Sequence, residues 1–352
     1  MARALAEPSR GARSLLVCRK KSEAETPRSG RQRLRGRYGL MAFDAASRVG
    51  EASSLMDETS HHDAMRLILG DGFVKSRPHH GVPMKPSMPL IMGILNVTPD
   101  SFSDGGQHGS FDAAVSHGLA MAAAGAHVLD VGGESTRPGS DPVSVDDEIG
   151  RVVPVIRALK ARWDGLISID TMKPEVARAA VEAGAGMWND VSALSHAPDS
   201  LSVAAELGCE VVLMHMKGEP RTMQDAPHYE DVVAEVVAHL RARAEAAIAA
   251  GVERKAIWLD PGIGFAKTAD HNLKLTRHLS ALVDLGFPVL YAASRKRVIQ
   301  AVDDTADQAT DRLGGSLALA LEGAMRGAAM VRVHDVRETV QALKVRAAVT
   351  TA

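Results

Sequence analysis

The sequence has few cysteines and no large excess of positive or negative charge, and each of these features excludes a class of protein. Cys18 and Cys209 are the only cysteines among 352 residues, too few and too far apart for a disulfide framework or a zinc cluster. We therefore expect a reducing, cytoplasmic location. The formal net charge of -2 argues against a nucleic-acid partner. No apolar run reaches the roughly 18 residues that span a bilayer, so we expect no membrane association and small-molecule ligands.

The first 88 residues lack the apolar periodicity of a folded core. Residues 1 to about 40 are rich in arginine and poor in acids, as in RKKSEAETPRSGRQRLRGR. A mis-assigned start, with Met41 as the initiator, is the favoured explanation, and an organellar targeting peptide is the alternative. The rest of this region predicts one short helix and a proline-rich linker, whose tandem histidines lack metal-site spacing. We predict a largely disordered extension over residues 1–88 and one catalytic domain over residues 89–352.

From residue 89 onward, short apolar runs typical of strands alternate with longer alanine-rich stretches typical of helices. The runs are PLIMGILN, AHVLDV, LISID, GMWNDV, EVVLMH, AIWLD, PVLYAAS and AMVRVH. Eight strand–helix units over about 260 residues predict an α/β fold of the (β/α)8 TIM-barrel type, with a doubly wound open sheet as the alternative. Open sheets that bind nucleotides usually carry GxGxxG or GxxxxGK[ST], and neither motif occurs in the expected place.

Polar residues follow nearly every predicted strand, where a barrel of this type has its active site. They are Asn96, Asp170, Asn189, His215, Asp260, Ser294 with Arg295 and Lys296, and Arg332 with His334, beside the loop GGESTRPG. Any one of them could cap the following helix instead, but capping does not explain so many polar strand ends. Carboxylates and amides suit a heterocycle rich in N–H groups, and cations suit a phosphate. We predict a ligand with a polar ring and a phosphate-like group.

Eight segments of the chain resemble those of the dihydropteroate synthases, the folate-pathway transferases that sulfonamides target. They are GILNVTPDSFSDGG, GGESTRPG, SIDT, WNDVSAL, LMHMKGEPRTMQ, DPGIGF, SRK and RVHDV, in the family's order over about residues 89–346. The resemblance implies condensation of 6-hydroxymethyl-7,8-dihydropterin diphosphate with 4-aminobenzoate, giving 7,8-dihydropteroate and diphosphate. A non-catalytic pterin-binding paralogue is the alternative. A pterin-binding methyltransferase is a weaker one, because it would need neither the first loop nor a phosphate grip.

The resemblance also implies which residues bind the pterin diphosphate. Those implied for the pterin edge are Asp170, Asn189, Asp260 and Lys296. Those implied for the diphosphate are Asn96, Arg332 and His334. Asn96 is further implied as a ligand to Mg2+, the one expected cofactor, since amide and phosphate oxygens suit this hard cation. The catalytic set implied in this way comprises Asp104, Asp170, Lys296, Arg332 and His334.

The resemblance further implies that two glycine-containing loops close over the reacting centre. Asp104 in the first loop would stabilise positive charge on the pterin methylene carbon. The residues implied for 4-aminobenzoate are Thr136, Arg137, Pro138, Phe265 and Arg297. The carboxylate of 4-aminobenzoate is expected at the start of the helix near SRKRVI.

The chain departs from the common family pattern at Ala266, Ala292 and Gln300. The two alanines replace glycines, which is harmless unless the backbone there needs a positive φ. Gln300 could shift the helix that follows SRK. By the same resemblance we expect a homodimer, with helices near the end of the barrel as its interface.

Overall fold

The computed structural model describes residues 88–98, 106–135, 142–218, 223–224 and 227–352. Residues 1–87, with the predicted extension and its short helix, lie outside the described residues. The strands within these ranges are β1 (Leu90–Asn96), β2 (Val128–Gly132), β3 (Leu166–Asp170), β4 (Met187–Asp190), β5 (Glu210–Met214), β6 (Ile257–Asp260), β7 (Leu290–Tyr291) and β8 (Met330–Val333). Each of the eight runs singled out in the sequence overlaps one of them.

The eight strands form one parallel sheet that curls into a barrel. Their order is β6-β5-β4-β3-β2-β1-β8-β7. The two ends of this order meet, because Leu259 of β6 bridges to Val289 and its amide donates to the Pro288 carbonyl at 3.0 Å. The predicted (β/α)8 barrel is confirmed, and the open-sheet alternative is wrong because an open sheet leaves its outer strands apart.

Strand β7 is much shorter than the run PVLYAAS predicts. The residues after Tyr291 are buried, but the chain turns at Arg295, whose φ is 58°. The amide of Arg295 donates to Ser316 Oγ at 2.8 Å rather than to a neighbouring strand. Pairing between β7 and β8 thus stops at Tyr291, and the backbone bends at Arg295, directly before Lys296.

The described helices surround the barrel and take their ends from local capping. They are α1 (Gly106–Ala123), α2 (Val145–Lys160), α3 (Pro174–Glu182), α4 (Ser200–Leu207), α5 (Val232–Ala249), α6 (Ala269–Arg277), α7 (Ser280–Val283), α8 (Arg297–Val302), α9 (Leu313–Met325) and α10 (Val336–Thr351). Ser144, Asp231 and Thr268 accept hydrogen bonds from first-turn amides of the helices they precede. Within the described ranges, none of the helices is long and apolar enough to cross a membrane.

The barrel interior changes from apolar at its floor to polar at its rim. The floor is an inward-facing layer of Leu90, Met92, Val128, Met187, Val212, Trp258, Leu290 and Met330. Two residues further along several strands, the side chains become Asp130, Ser168, Asn189, Asp260 and Arg332, because successive inward positions are two residues apart. A packed floor and a polar rim place the chemistry at the carboxyl ends of the strands.

Candidate active site

An ion-paired cluster joins the ends of β2, β3, β4 and β8. Arg332 donates from Nε to Asp130 Oδ2 and from Nη2 to Asp170 Oδ2, each at 2.6 Å. Asn189 Nδ2 donates to the same Asp130 oxygen at 3.0 Å. The structure therefore brings together Asp170, Asn189 and Arg332, which the sequence had singled out at three separate strand ends.

Each carboxylate of this cluster keeps one oxygen without a hydrogen bond. Asp130 Oδ1 and Asp170 Oδ1 are both buried and unpartnered. Burial raises the pKa of Asp170 to about 7, and the charge of Arg332 opposes that rise. Burial lowers the pKa of Arg332, but Asp130 and Asp170 outweigh it and hold the pKa above its ordinary value. The cluster is thus a fixed cation with two carboxylate oxygens whose hydrogen-bonding capacity is unused.

A second charged pair lies at the ends of β6 and β7. Asp260 Oδ1 accepts from the Gly262 amide at 2.7 Å. Lys296 Nζ donates to the Ile263 carbonyl and stands 4.5 Å from the centre of the Phe265 ring. Burial raises the pKa of Asp260, opposed by Lys296, and burial lowers the pKa of Lys296 to about 8, opposed by Asp260. Lys296 is held against the β6–α6 loop.

The β6–α6 loop, residues 261–268, turns through three left-handed positions. Gly262, Gly264 and Ala266 have φ values of 68°, 83° and 50°. At Gly262 a side chain is impossible, since a Cβ would lie 2.0 Å from the His215 carbonyl oxygen. Ala266 replaces a glycine at one of these positive-φ positions. Its methyl group therefore costs about 1 kcal/mol of stability. Ala292 is not among the described residues with positive φ, so its methyl group has no such cost.

The loop that presents Lys296 is fixed by side chains that face away from the rim. Arg295 donates from Nη2 and Nε to the two Asp335 oxygens at 2.5 and 3.0 Å. Its carbonyl accepts from Arg312 Nη1 at 3.1 Å. Arg312 Nη2 also donates to Gln300 Oε1 at 3.0 Å. Arg295 and the unusual Gln300 therefore support this loop from behind.

Some of the remaining predicted residues lie at the rim, and the others lie outside the described ranges. Asn96 ends β1, and its Oδ1 and Asp170 Oδ2 both lie 3.8 Å from the point where a Cβ on Gly132 would stand. His334 Nδ1 lies 3.0 Å from Ser294 Oγ at the end of β8. Arg297 is exposed at the first position of α8. The loop residues that lie outside the described ranges are Asp104, Thr136, Arg137 and Pro138.

Two buried charged residues near the site were missed from the sequence. Asp130 has no exposed surface and anchors both Arg332 and Asn189. It was detectable, because it is the one charged residue of the run AHVLDV and stands at an inward position of a buried strand. Lys267 is only 3% exposed beside His215 and Phe265. The sequence carries no signal for it, since lysine is almost never fully buried unless paired.

No metal site made only of protein groups is visible in the described part of the chain. Its His, Cys, Asp and Glu side chains form no group of three that could hold an ion. A metal at this rim would need ligands from amides, waters or substrate as well.

Comparison with known proteins identifies the family of this chain. The family model described as "Pterin binding enzyme" matches residues 92–334. The dihydropteroate synthase of Escherichia coli is 48% identical over 265 residues, which cover 75% of this chain and 93% of that protein.

Two solved structures of the dihydropteroate synthase of Xanthomonas albilineans are also similar. The one with 4-aminobenzoic acid has 50% identity and a TM-score of 0.72, covering 76% of this chain and 96% of that one. The one in complex with 7,8-dihydropteroate has 47% identity and a TM-score of 0.69 over the same shares. The chain therefore belongs to the pterin-binding enzyme family and, within it, to the dihydropteroate synthases.

Proposed function

We propose that the barrel rim joins 6-hydroxymethyl-7,8-dihydropterin diphosphate to 4-aminobenzoate, with the residue roles given below. The observation that carries the proposal is the convergence of Asp170, Asn189 and Arg332 in one buried cluster. Such a cluster offers acceptors for ring N–H groups and a fixed cation for an anion. The solved relative with 4-aminobenzoic acid and the one with 7,8-dihydropteroate support the substrate and the product.

The pterin ring is the ligand part that suits the free carboxylate oxygens. Asp170 can accept a ring N–H at its unpartnered Oδ1 while Oδ2 keeps Arg332. Asp260, on β6, can accept a second ring N–H from another part of the barrel wall. Lys296, whose charge acts on Asp260, can donate to a ring oxygen or nitrogen. Hydrogen bonds to charged groups contribute about 1.5–3 kcal/mol each. Asn189, held by Asp130, adds a fixed amide.

The reaction breaks the bond between the pterin methylene carbon and diphosphate and forms a bond from that carbon to the amine nitrogen, which then loses a proton. Arg332 and His334 are proposed to bind the departing diphosphate. The Arg332 guanidinium still has N–H groups outside its two carboxylate contacts, and its fork matches phosphate oxygens. Positioning the two reactants and stabilising the leaving anion are the catalytic work of the rim.

Mg2+ is the proposed cofactor, and the donor set fits it. Asn96 offers an amide oxygen near Asp170, and Mg2+ usually keeps several waters and binds through few protein groups plus substrate phosphates. Asn96 would hold the ion. When bound, Mg2+ would neutralise negative charge on the diphosphate.

For 4-aminobenzoate, the proposed contacts are Phe265 and Arg297. Phe265 offers an aromatic face beside Lys296, and Arg297 adds positive charge at the start of α8 for the carboxylate. The contributions of Asp104, Thr136, Arg137 and Pro138 stay predictions. The cytoplasmic location also stays a prediction, resting on the two cysteines.

The proposed reaction is tested by supplying both substrates with Mg2+, using 4-aminobenzoate labelled with 15N at its amine, and identifying the product by mass. We expect 7,8-dihydropteroate that carries the label and forms only when both substrates are present. A folded protein that binds the pterin diphosphate without forming labelled product would support the non-catalytic paralogue instead.

We also propose a homodimer, formed through the groove between α9 and α10. This groove is lined by Leu317, Leu321, Ala342 and Val345, with Arg346 and Glu338 beside them. Val345 and Val349 are 61% and 75% exposed on α10. An apolar stripe on two neighbouring helices, rimmed by charges, is typical of a subunit interface.

Val345→Glu is expected to convert the dimer to a monomer, because it buries a charge in an apolar contact. The measurement is the molar mass in solution by light scattering across a concentration series. Val302→Glu on α8 is the matched control, since Val302 is 68% exposed away from the groove. Monomeric wild-type protein, or a dimer unaffected by Val345→Glu, would contradict this interface.

A further inference from the structure

We propose that Lys267 is a positioning residue for 4-aminobenzoate: its ammonium group clamps the β6–α6 loop to the end of β5 and so fixes the place of Phe265. This inference rests on the proposed function. Lys267 Nζ lies 2.9 Å from His215 Nδ1 and donates to the carbonyls of His215 at 3.2 Å and Phe265 at 2.9 Å. One side chain thus joins the first residue after β5 to the residue expected to face the aminobenzoate ring.

The three acceptors around Lys267 require three donors. Two are backbone carbonyls, and the third is His215 Nδ1, which accepts in the Nε2–H tautomer of the neutral ring. The pKa of His215 is far below its ordinary value, first because of burial and then because of Lys267. Only the ammonium form of lysine has three N–H groups, whereas the neutral amine has two. With His215 in the Nε2–H tautomer, loss of the proton leaves one buried acceptor without a partner, which costs free energy.

The loop needs this clamp because its backbone alternates through left-handed positions. Phe265 lies between Gly264 and Ala266, both with positive φ. Gly264 is held from elsewhere, its carbonyl by Gln224 Nε2 at 2.6 Å and its amide by Asn272 Oδ1 at 2.8 Å. The carbonyl of Phe265 depends on Lys267. Releasing it would free the Phe265 ring to move without unfolding the loop.

Charged groups from several elements surround Lys267 and bear on its protonation. Asp260 of β6 favours the ammonium form, and Lys296 and Lys217 disfavour it. On the helices packed beside it, His239 and His271 have lowered pKa values, in both cases mainly through burial. Burial lowers the pKa of Lys267 to about 7. The clamp should therefore loosen as the pH rises through neutrality.

Lys267→Met keeps an unbranched side chain one atom shorter than lysine and removes its donors. We expect the KM for 4-aminobenzoate to rise about tenfold, corresponding to the loss of about one net hydrogen bond. The KM for the pterin diphosphate should rise by about threefold at most. The matched control is Lys274→Met, an exposed lysine of α6. In a Phe265→Ala background, Lys267→Met should change the aminobenzoate KM less than twofold, since its effect runs through Phe265.

Equal increases in both KM values, or the full factor in the Phe265→Ala background, would overturn the proposal. If Lys267→Met does not fold, the pH profile of the wild type is the test. The KM for aminobenzoate should rise above about pH 7, and a flat profile would count against the clamp. If wild-type protein lacks turnover, the proposed function fails separately. The clamp is then tested by titrating 4-aminobenzoate into protein saturated with pterin alcohol and inorganic diphosphate, with the same variants and the same expected factors.

Discussion

Arg332→Met is expected to lower kcat/KM for the pterin diphosphate by about a thousandfold, the upper range for removing one charge-stabilising donor. Arg332 is the cation of the buried cluster, and methionine can neither bind the leaving diphosphate nor hold Asp130 and Asp170. Arg332→Lys is the matched control, because it keeps the charge but lacks the planar fork that spans both carboxylates and phosphate oxygens. We expect an intermediate loss for it. The measurement is the initial rate of diphosphate release, and less than a tenfold loss in Arg332→Met would contradict the proposed role.

The same substitution should destabilise the protein in a pH-dependent way. Removing one partner of a buried ion pair typically costs about 3–5 kcal/mol, and it leaves two carboxylates together. The pKa of Asp170 in the folded protein, about 7, is above its unfolded value. Its stabilising contribution is therefore complete below the unfolded pKa and is lost as the pH rises towards 7.

Without Arg332 the pKa of Asp170 should rise further, so the loss continues above pH 7. The difference in free energy of unfolding between wild type and Arg332→Met should therefore stay level near pH 5 and grow as the pH rises through 7 to 8. Chemical denaturation at several pH values measures it. A difference that stays constant over this range would mean that Asp170 does not titrate as described.

Asp260→Asn is expected to weaken pterin binding by about 2–4 kcal/mol, the effect of losing a charged hydrogen bond and leaving the ligand donor unpaired. The amide oxygen can still accept from the Gly262 amide, so the loop should keep its conformation. The amide also adds a donor that faces the ring N–H groups. Calorimetric titration with the pterin alcohol, which lacks diphosphate, isolates this effect from Arg332.

Asp303→Asn is the control for Asp260→Asn, because the carboxylate of Asp303 accepts from Thr305 on the exposed surface. We expect no change in pterin affinity there. A weakening of less than threefold in Asp260→Asn would remove Asp260 from the pterin site and leave it as a support for the β6–α6 loop.

The barrel and its polar rim could be predicted because both follow from local patterns. Buried parallel strands read as short apolar runs, and the first polar residue after each run stands at the rim. Asp170, Asn189 and Asp260 were found in this way. The bend at Arg295 was not predictable, because its left-handed backbone goes with an amide contact to Ser316, a residue far along the chain.

The pairings between side chains could not be predicted from the sequence. Arg332 was expected to bind phosphate, and in the free protein it is held by Asp130 and Asp170. Which partners a cation takes depends on strands that are far apart in the chain and adjacent in the barrel. Lys267 was missed for the same reason, since its burial arises from the packing of the β6–α6 loop against His215.

The most direct test of the proposed roles is diphosphate release by wild type and Asp170→Ala, with pterin diphosphate and Mg2+, in the presence and absence of 4-aminobenzoate. We predict release by the wild type that depends on 4-aminobenzoate and collapses in the folded variant. Release that is indifferent to 4-aminobenzoate, or that persists in Asp170→Ala, would contradict the account of this rim as the site of condensation.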